Sequence, residues 1–99
     1  MALRVKISAR AASQVRAAAA WWAENRPAAP GAIAADFGQA VALLAAQPGL
    51  GARYDGSRTP NVRRLFLNRV GYFVYYKQQG GDLQVLAFWH SSRENQPSL

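Results

Sequence analysis

Leu3, Val5 and Ile7 alternate with Arg4, Lys6 and Ser8, the two-residue period of a half-buried strand. Ser8 then stands as an N-cap ahead of residues 9–25, an alanine-rich run without Gly or Pro whose helix propensity is high. Ala11/Ala12, Val15, Ala18/Ala19 and Trp22 recur at helical spacing along it and mark its buried stripe. Pro27 stops this helix. Pro30 is placed to open a second, because a proline in the first helical position loses no needed hydrogen bond. Ile33, Phe37, Val41 and Leu44 step by three or four toward Gln47, with Asp36 and Gln39 off the stripe, and Pro48, Gly49 and Gly51 end the pattern. With so few residues between them, the two helices are expected to pack as an antiparallel hairpin.

Residues 53–61, with Gly56 and Pro60, read as a loop. Strands follow at 62–68, 72–77 and 83–90, separated by a turn at Gly71 and the sequence Gln78-Gln79-Gly80-Gly81-Asp82. Strands so closely spaced make an antiparallel sheet. The last carries Leu83, Val85, Ala87 and Trp89 on one face and Leu86 and Phe88 on the other, so it belongs inside a sheet with both faces covered. The helical hairpin can cover one face. Little chain follows Arg93 to cover the other, so Tyr75, Leu86 and Phe88 are expected to line an exposed apolar groove, the kind of patch that marks a partner site. The expected fold is a single α+β domain over 1–99, ordered β-α-α-β-β-β, with four strands.

Composition narrows the chemistry. There is no cysteine, hence no disulfide, no zinc–thiolate site and no thiol nucleophile. A phosphate-binding glycine loop and a Ser-His-Asp set are missing, and His and carboxylates are too few for a metal site, so no cofactor is expected. No apolar run approaches a membrane span, and the N-terminus lacks a signal peptide's apolar stretch, so a cytoplasmic protein is expected. The formal net charge is +7, and ten of the twelve basic residues are arginine. Arg53, Arg58, Arg63, Arg64, Arg69 and Lys77 are opposed over their stretch only by Asp55, which concentrates +5 of that charge in a quarter of the chain. Such asymmetry is either a solvated face or the footprint of an acidic or polyanionic partner.

Four stretches, taken in order, resemble the ParE/RelE toxin superfamily of bacterial toxin–antitoxin modules. Residues 3–8 run as a first strand into an S-x-x-A motif. Leu44-Ala45-Ala46-Gln47-Pro48-Gly49-Leu50-Gly51 resembles L-x-x-x-P-x-x-G. Val62-Arg63-Arg64-Leu65 resembles V-R-x-L. Tyr72-Phe73-Val74-Tyr75-Tyr76, residues 83–89 and His90-Ser91-Ser92-Arg93 resemble Y-x-V-x-Y and a closing H-x-x-R. The resemblance implies a two-layer fold with the hairpin on one face of the sheet and the first strand beside the last. It also implies one of two activities. RelE-like members cut messenger RNA on the ribosome; ParE-like members inhibit DNA gyrase and are not nucleases.

RNA cleavage by 2′-hydroxyl attack needs a base, an acid and cations for the charged phosphorane. Arg63, Arg64, His90 and Arg93 are the candidates if the chain is a nuclease. Against that, Tyr72 and Phe73 stand where RelE-like members often carry an arginine, no hydroxylated aromatic follows His90, and the Pro48–Gly51 ending and H-x-x-R tail look ParE-like. The ParE-like reading, with no catalytic residues, is favoured. Arg63 and Arg64 alternate on their strand, so one is expected to face a partner and the other to pair with a helix carboxylate, Glu24 or Asp36. Trp21 and Trp22 are adjacent, so one stripe cannot bury both; Trp22 fits the core and Trp21 the hairpin edge. Arg63, Arg64, Trp21, Leu86, Phe88, His90 and Arg93 are therefore the candidate binding residues. Their complement is a segment of alternating apolar and acidic residues, disordered until bound. The resemblance identifies it with the C-terminal part of a cognate antitoxin, in a hetero-oligomer with the toxin.

Overall fold

Ser8 ends the first strand and starts the first helix. In the computed structural model, which describes residues 2–99, its backbone is extended and its Oγ accepts the Ala11 N–H at 3.0 Å. The expected cap thus launches α1 (Ala9–Asn25) directly from β1 (Arg4–Ile7). Ala11 and Ala18 are buried, with Val15, Ala19 and Trp22 packed partly against the same core. The second helix, α2 (Ala32–Ala46), buries Ile33, Phe37, Val41 and Leu44 as their spacing predicts. It begins after Gly31, so Pro30 lies in the preceding turn rather than in the first helical position.

The remaining elements are β2 (Ala52–Arg53), β3 (Arg63–Leu67), β4 (Tyr72–Gln79) and β5 (Asp82–His90). They form one sheet in the order β1-β5-β4-β3-β2, with β1 parallel to β5 and every other pairing antiparallel. The sheet has five strands rather than four, because Ala52 and Arg53, at the start of the expected loop, pair with Arg64 and Arg63; a two-residue strand is too short to show a period. The half-burial expected of the first strand is not found. Val5 and Ile7 are 41% and 43% exposed, since β1 is an edge strand paired only with β5.

A second correction concerns the faces of β5. Tyr75 pairs with Ala87 and Tyr76 with Val85, so Leu86 is an extra residue, a β-bulge. Alternation reverses across it. Leu83, Val85 and Phe88 all join the core beneath the helices, while Ala87 and Trp89 face the other way. Phe88 is 2% exposed, stacked on Tyr72 at 4.5 Å and edge-on to Phe37 at 5.5 Å. It is a core residue on the helix face, not part of an exposed apolar groove on the face away from the hairpin.

Nor is the second face open. The chain beyond β5 folds back over it, and Tyr54, Val62, Tyr75 and Ala87 are buried there with Leu99 packed against them. The Arg58 N–H and Ser57 hydroxyl donate to the Leu99 main-chain oxygen at 2.8 and 3.0 Å. Trp89 Nε1 donates to Asn95 O at 2.9 Å, and the Tyr54 hydroxyl donates to Gln96 Oε1. Tyr75, expected in the groove, is 1% exposed. Few residues suffice because loop 54–62 supplies the rest of the cover.

Tyr76 ties the layers together. Its hydroxyl, buried among the core, donates to Pro48 O at 2.7 Å and accepts the Gly51 N–H at 2.8 Å. A Cβ on Gly51 would lie 2.5 Å from that hydroxyl and 2.8 Å from Arg64 O, so glycine is required by the close approach. Tyr76→Phe is expected to lower the unfolding free energy by about 1–3 kcal/mol in urea denaturation, since the buried Gly51 N–H is left unpaired. Burial holds the Tyr76 phenol above its usual pKa of 10.0. The neutral form is therefore the stabilised one, and the wild-type protein is expected to keep its full stability below pH 10 and lose it as the pH rises through the folded-state value. Removing residues 96–99 is expected to increase binding of a hydrophobic dye and to lower the denaturation midpoint, by uncovering the second face.

Candidate functional site

Adjacent Trp21 and Trp22 divide as their spacing requires. Trp22 packs partly against the core, and Trp21 is 49% exposed. The Arg26 guanidinium lies 5.6 Å from the Trp21 ring and 5.8 Å from the Trp22 ring, within cation–π range. Opposite Trp21, the C-terminal end of β5 and the start of β4 complete a cleft of about 250 Å³, lined by Gln14, Trp21, Tyr72, Phe88, His90 and Arg93 among others. Four of the residues singled out in the sequence, Trp21, Phe88, His90 and Arg93, therefore meet at one place, with Phe88 as buried floor.

His90 is fixed there. Its ring stands edge-on to Tyr72 at 4.8 Å, and its Nδ1 accepts the Ser92 N–H at 3.1 Å with the Ser92 hydroxyl alongside. A backbone N–H can only donate, so the neutral ring carries its proton on Nε2. Gly71, at φ 77°, borders the ring, and a Cβ there would be in ordinary contact with that Nε2 at 3.4 Å. Arg93 sits with its guanidinium 4.0 Å from the Trp89 ring.

Arg63 and Arg64 lie elsewhere, and on opposite faces. Arg63 donates to Gly51 O at 2.7 Å beside the end of α2. Arg64 crosses the second face, 4.3 Å from the Phe73 ring and 5.3 Å from the Tyr54 ring, and donates to the Tyr75 hydroxyl at 3.1 Å. Neither takes the helix carboxylate expected for one of them. Asp36 is held instead by Arg69, whose Nε and Nη2 fork onto its two oxygens. Arg69 reaches it because the turn after β3 passes the side of α2, which the sequence pattern does not show. Leu86, on the bulge, borders a shallow depression with Lys6 and Ile7 at the opposite edge of the sheet. Its main-chain oxygen accepts the Ser8 hydroxyl at 3.3 Å.

The four residues considered for RNA cleavage do not converge. Arg63 is in register with Tyr76, and His90 with Tyr72, four residues along β4, or about 13 Å at the usual rise per residue. Arg64 is on the far face. No group of three or more His, Cys, Asp or Glu side chains is placed to hold a metal ion among the described residues, and no described helix is long and apolar enough to cross a membrane. Two contributors to the cleft escaped the sequence reading. Gln14 lies beside the buried stripe with no pattern to distinguish it, and Tyr72 carries only the ordinary signal of a strand aromatic.

No curated protein matches the chain significantly. Among solved structures, a chain described as the chromosomal ParDE TA system from P. aeruginosa superimposes with a TM-score of 0.73 at 21% identity, covering 89% of this chain and 95% of that one. At that identity the likeness is one of fold. The family profile described as ParE toxin of type II toxin-antitoxin system, parDE, matches residues 5–95, nearly the whole of the hairpin-on-sheet unit. The chain belongs to the ParE toxin family of type II toxin–antitoxin systems.

Proposed function

We propose that the protein is a toxin that acts by binding and inhibiting DNA gyrase, and that a cognate antitoxin neutralises it. The observation that carries the first half is the dispersal of the cationic and imidazole groups. General acid–base chemistry needs its groups within hydrogen-bond reach of one reacting site. Here the Arg63 and Arg64 guanidiniums point to opposite faces, and His90 is four register positions away with Nδ1 already occupied. That dispersal supports binding over general acid–base catalysis.

The second half follows from what is exposed. Trp21, an aromatic anchor beside Arg26 and Arg93, offers apolar area flanked by positive charge. A disordered segment alternating apolar and acidic residues complements it and folds as it binds. Opposite charges speed such association, and salt slows it.

Expression in bacteria without the neighbouring antitoxin gene is expected to arrest growth with a DNA-damage response and chromosome breaks. Co-expression of that gene is expected to restore growth. Rapid translation loss with cut transcripts would instead identify a RelE-like nuclease, and no arrest would contradict both readings. His90→Gln, in a folded variant, is expected to leave toxicity largely intact. A general acid or base contributes about 10²–10⁴-fold to rate, so collapse of toxicity on that substitution would return His90 to a catalytic role.

A further inference from the structure

The two residue pairs joining β2 to β3 are Ala52 with Arg64 and Arg53 with Arg63. Directly opposed residues share a face with their Cβ atoms about 4.5–5.5 Å apart, and like charges so placed repel. The protein nevertheless sets two arginines there. The ion pairs found among the described residues join Arg4 and Lys6 to Asp82 and Arg69 to Asp36; neither Arg53 nor Arg63 takes part. Both line a recess of about 410 Å³ between the turn after α2, the entry to β3 and the end of β4, and no acidic residue lines it.

The rest of the recess favours the same ligand chemistry. Arg63 uses Nη1 to hold Gly51 O at 2.7 Å, which fixes the guanidinium while leaving Nε and Nη2 as donors. Asn61 and Gln78 add side-chain amides to the wall. Asn61 sits in the left-handed region at φ 64°, which Asn tolerates at turns. Immediately outside, between Gly49 and Gly51, Leu50 is 47% exposed. Two cations, two amides and an adjacent apolar side chain match a peptide carboxylate followed by an apolar residue.

We propose that Arg53 and Arg63 form a two-guanidinium seat for a carboxylate side chain of an acidic–apolar partner segment, which, resting on the toxin reading above, is the antitoxin's. Binding a carboxylate there would relieve the repulsion between the arginines and supply charge-assisted hydrogen bonds. The seat lies at the opposite end of the sheet from the Trp21–His90 cleft, so it is a separate contact. It involves Arg53, which the sequence pattern placed in a loop, and not Arg64, whose guanidinium is committed to the aromatic second face.

The test is an amide and arginine side-chain NMR titration of the whole protein with three probes: an amidated peptide alternating glutamate and leucine, its glutamine counterpart, and inorganic phosphate. The glutamate peptide is expected to give saturable shifts at Arg53, Asn61, Arg63 and Gln78. Arg53→Gln, at an exposed position and with its fold checked by the amide spectrum, is expected to weaken it about tenfold or more, as for a charged hydrogen-bonded pair, while Arg58→Gln leaves it within about twofold, as for an exposed charge away from the seat. Equal binding of the glutamine peptide, an unaffected Arg53→Gln variant, or shifts spread evenly over the basic surface would overturn the proposal. Phosphate saturating these residues at lower concentration than the peptide would also overturn it, by making the seat a phosphate site. Failure of the neighbouring gene's product to bind or neutralise the protein would sink the antitoxin reading alone, since the peptide titration does not depend on it.

Discussion

The extra residue in β5 is the constraint on which the rest of the molecule depends. Leu86 interrupts pairing with β4, and a bulge leaves backbone groups that must find partners elsewhere. Helix α1 provides them. The Ser8 N–H donates to Val85 O at 3.0 Å, and the Ser8 hydroxyl to Leu86 O at 3.3 Å. The Phe88 N–H donates to Gln14 Oε1 at 2.8 Å. Beyond Val85, where β1 stops pairing, the outer edge of β5 is thus capped by α1 rather than by a strand. The same displacement brings Leu83, Val85 and Phe88 onto the helix face, turns Trp89 toward the second face, and delivers His90 to the mouth of the Trp21 cleft. One inserted residue sets helix docking, core composition and the cleft together.

Function follows from the spacing this imposes. The helices cover one face and the returning chain covers the other, so the sheet has no broad open floor on which a substrate could meet several groups at once. Chemistry-bearing side chains are left at the margins, several of them already engaged. Arg64 lies among aromatic rings, Arg63 holds a turn carbonyl, Arg69 grips Asp36 and His90 is held by Ser92. Side chains locked by neighbours at dispersed points make a rigid recognition surface. Such a surface supports the binding role proposed above.

The sequence disclosed those elements whose signal is local. The span of α1, the Ser8 cap, the stripe of α2 and the three closing strands are all legible in periodicity and turn residues, because the physics that forms them acts over a few residues. What was not legible depends on long-range contacts. Nothing in residues 82–90 marks the bulge, whose backbone partners lie in α1 and its cap, about seventy residues earlier. Strict alternation therefore assigned Phe88 to the wrong face. Likewise Ala52 and Arg53 become a strand only because Arg63 and Arg64 lie alongside, and residues 95–99 become a cover only because loop 54–62 binds Leu99. The candidate site was half legible. Trp21, His90 and Arg93, singled out by residue type, lie around one cleft, while the separation of Arg63 and Arg64 from them required the register.

Inhibition of gyrase by binding, without cutting RNA, is what we propose for this family member. The most direct measurement is plasmid supercoiling by purified gyrase, run beside ribosomal translation of a defined transcript, with the purified protein added to each. Supercoiling is expected to fall in proportion to added protein, with cleaved DNA trapped on gyrase, while the transcript stays intact. Undiminished supercoiling together with transcripts cut on the ribosome would contradict the proposal.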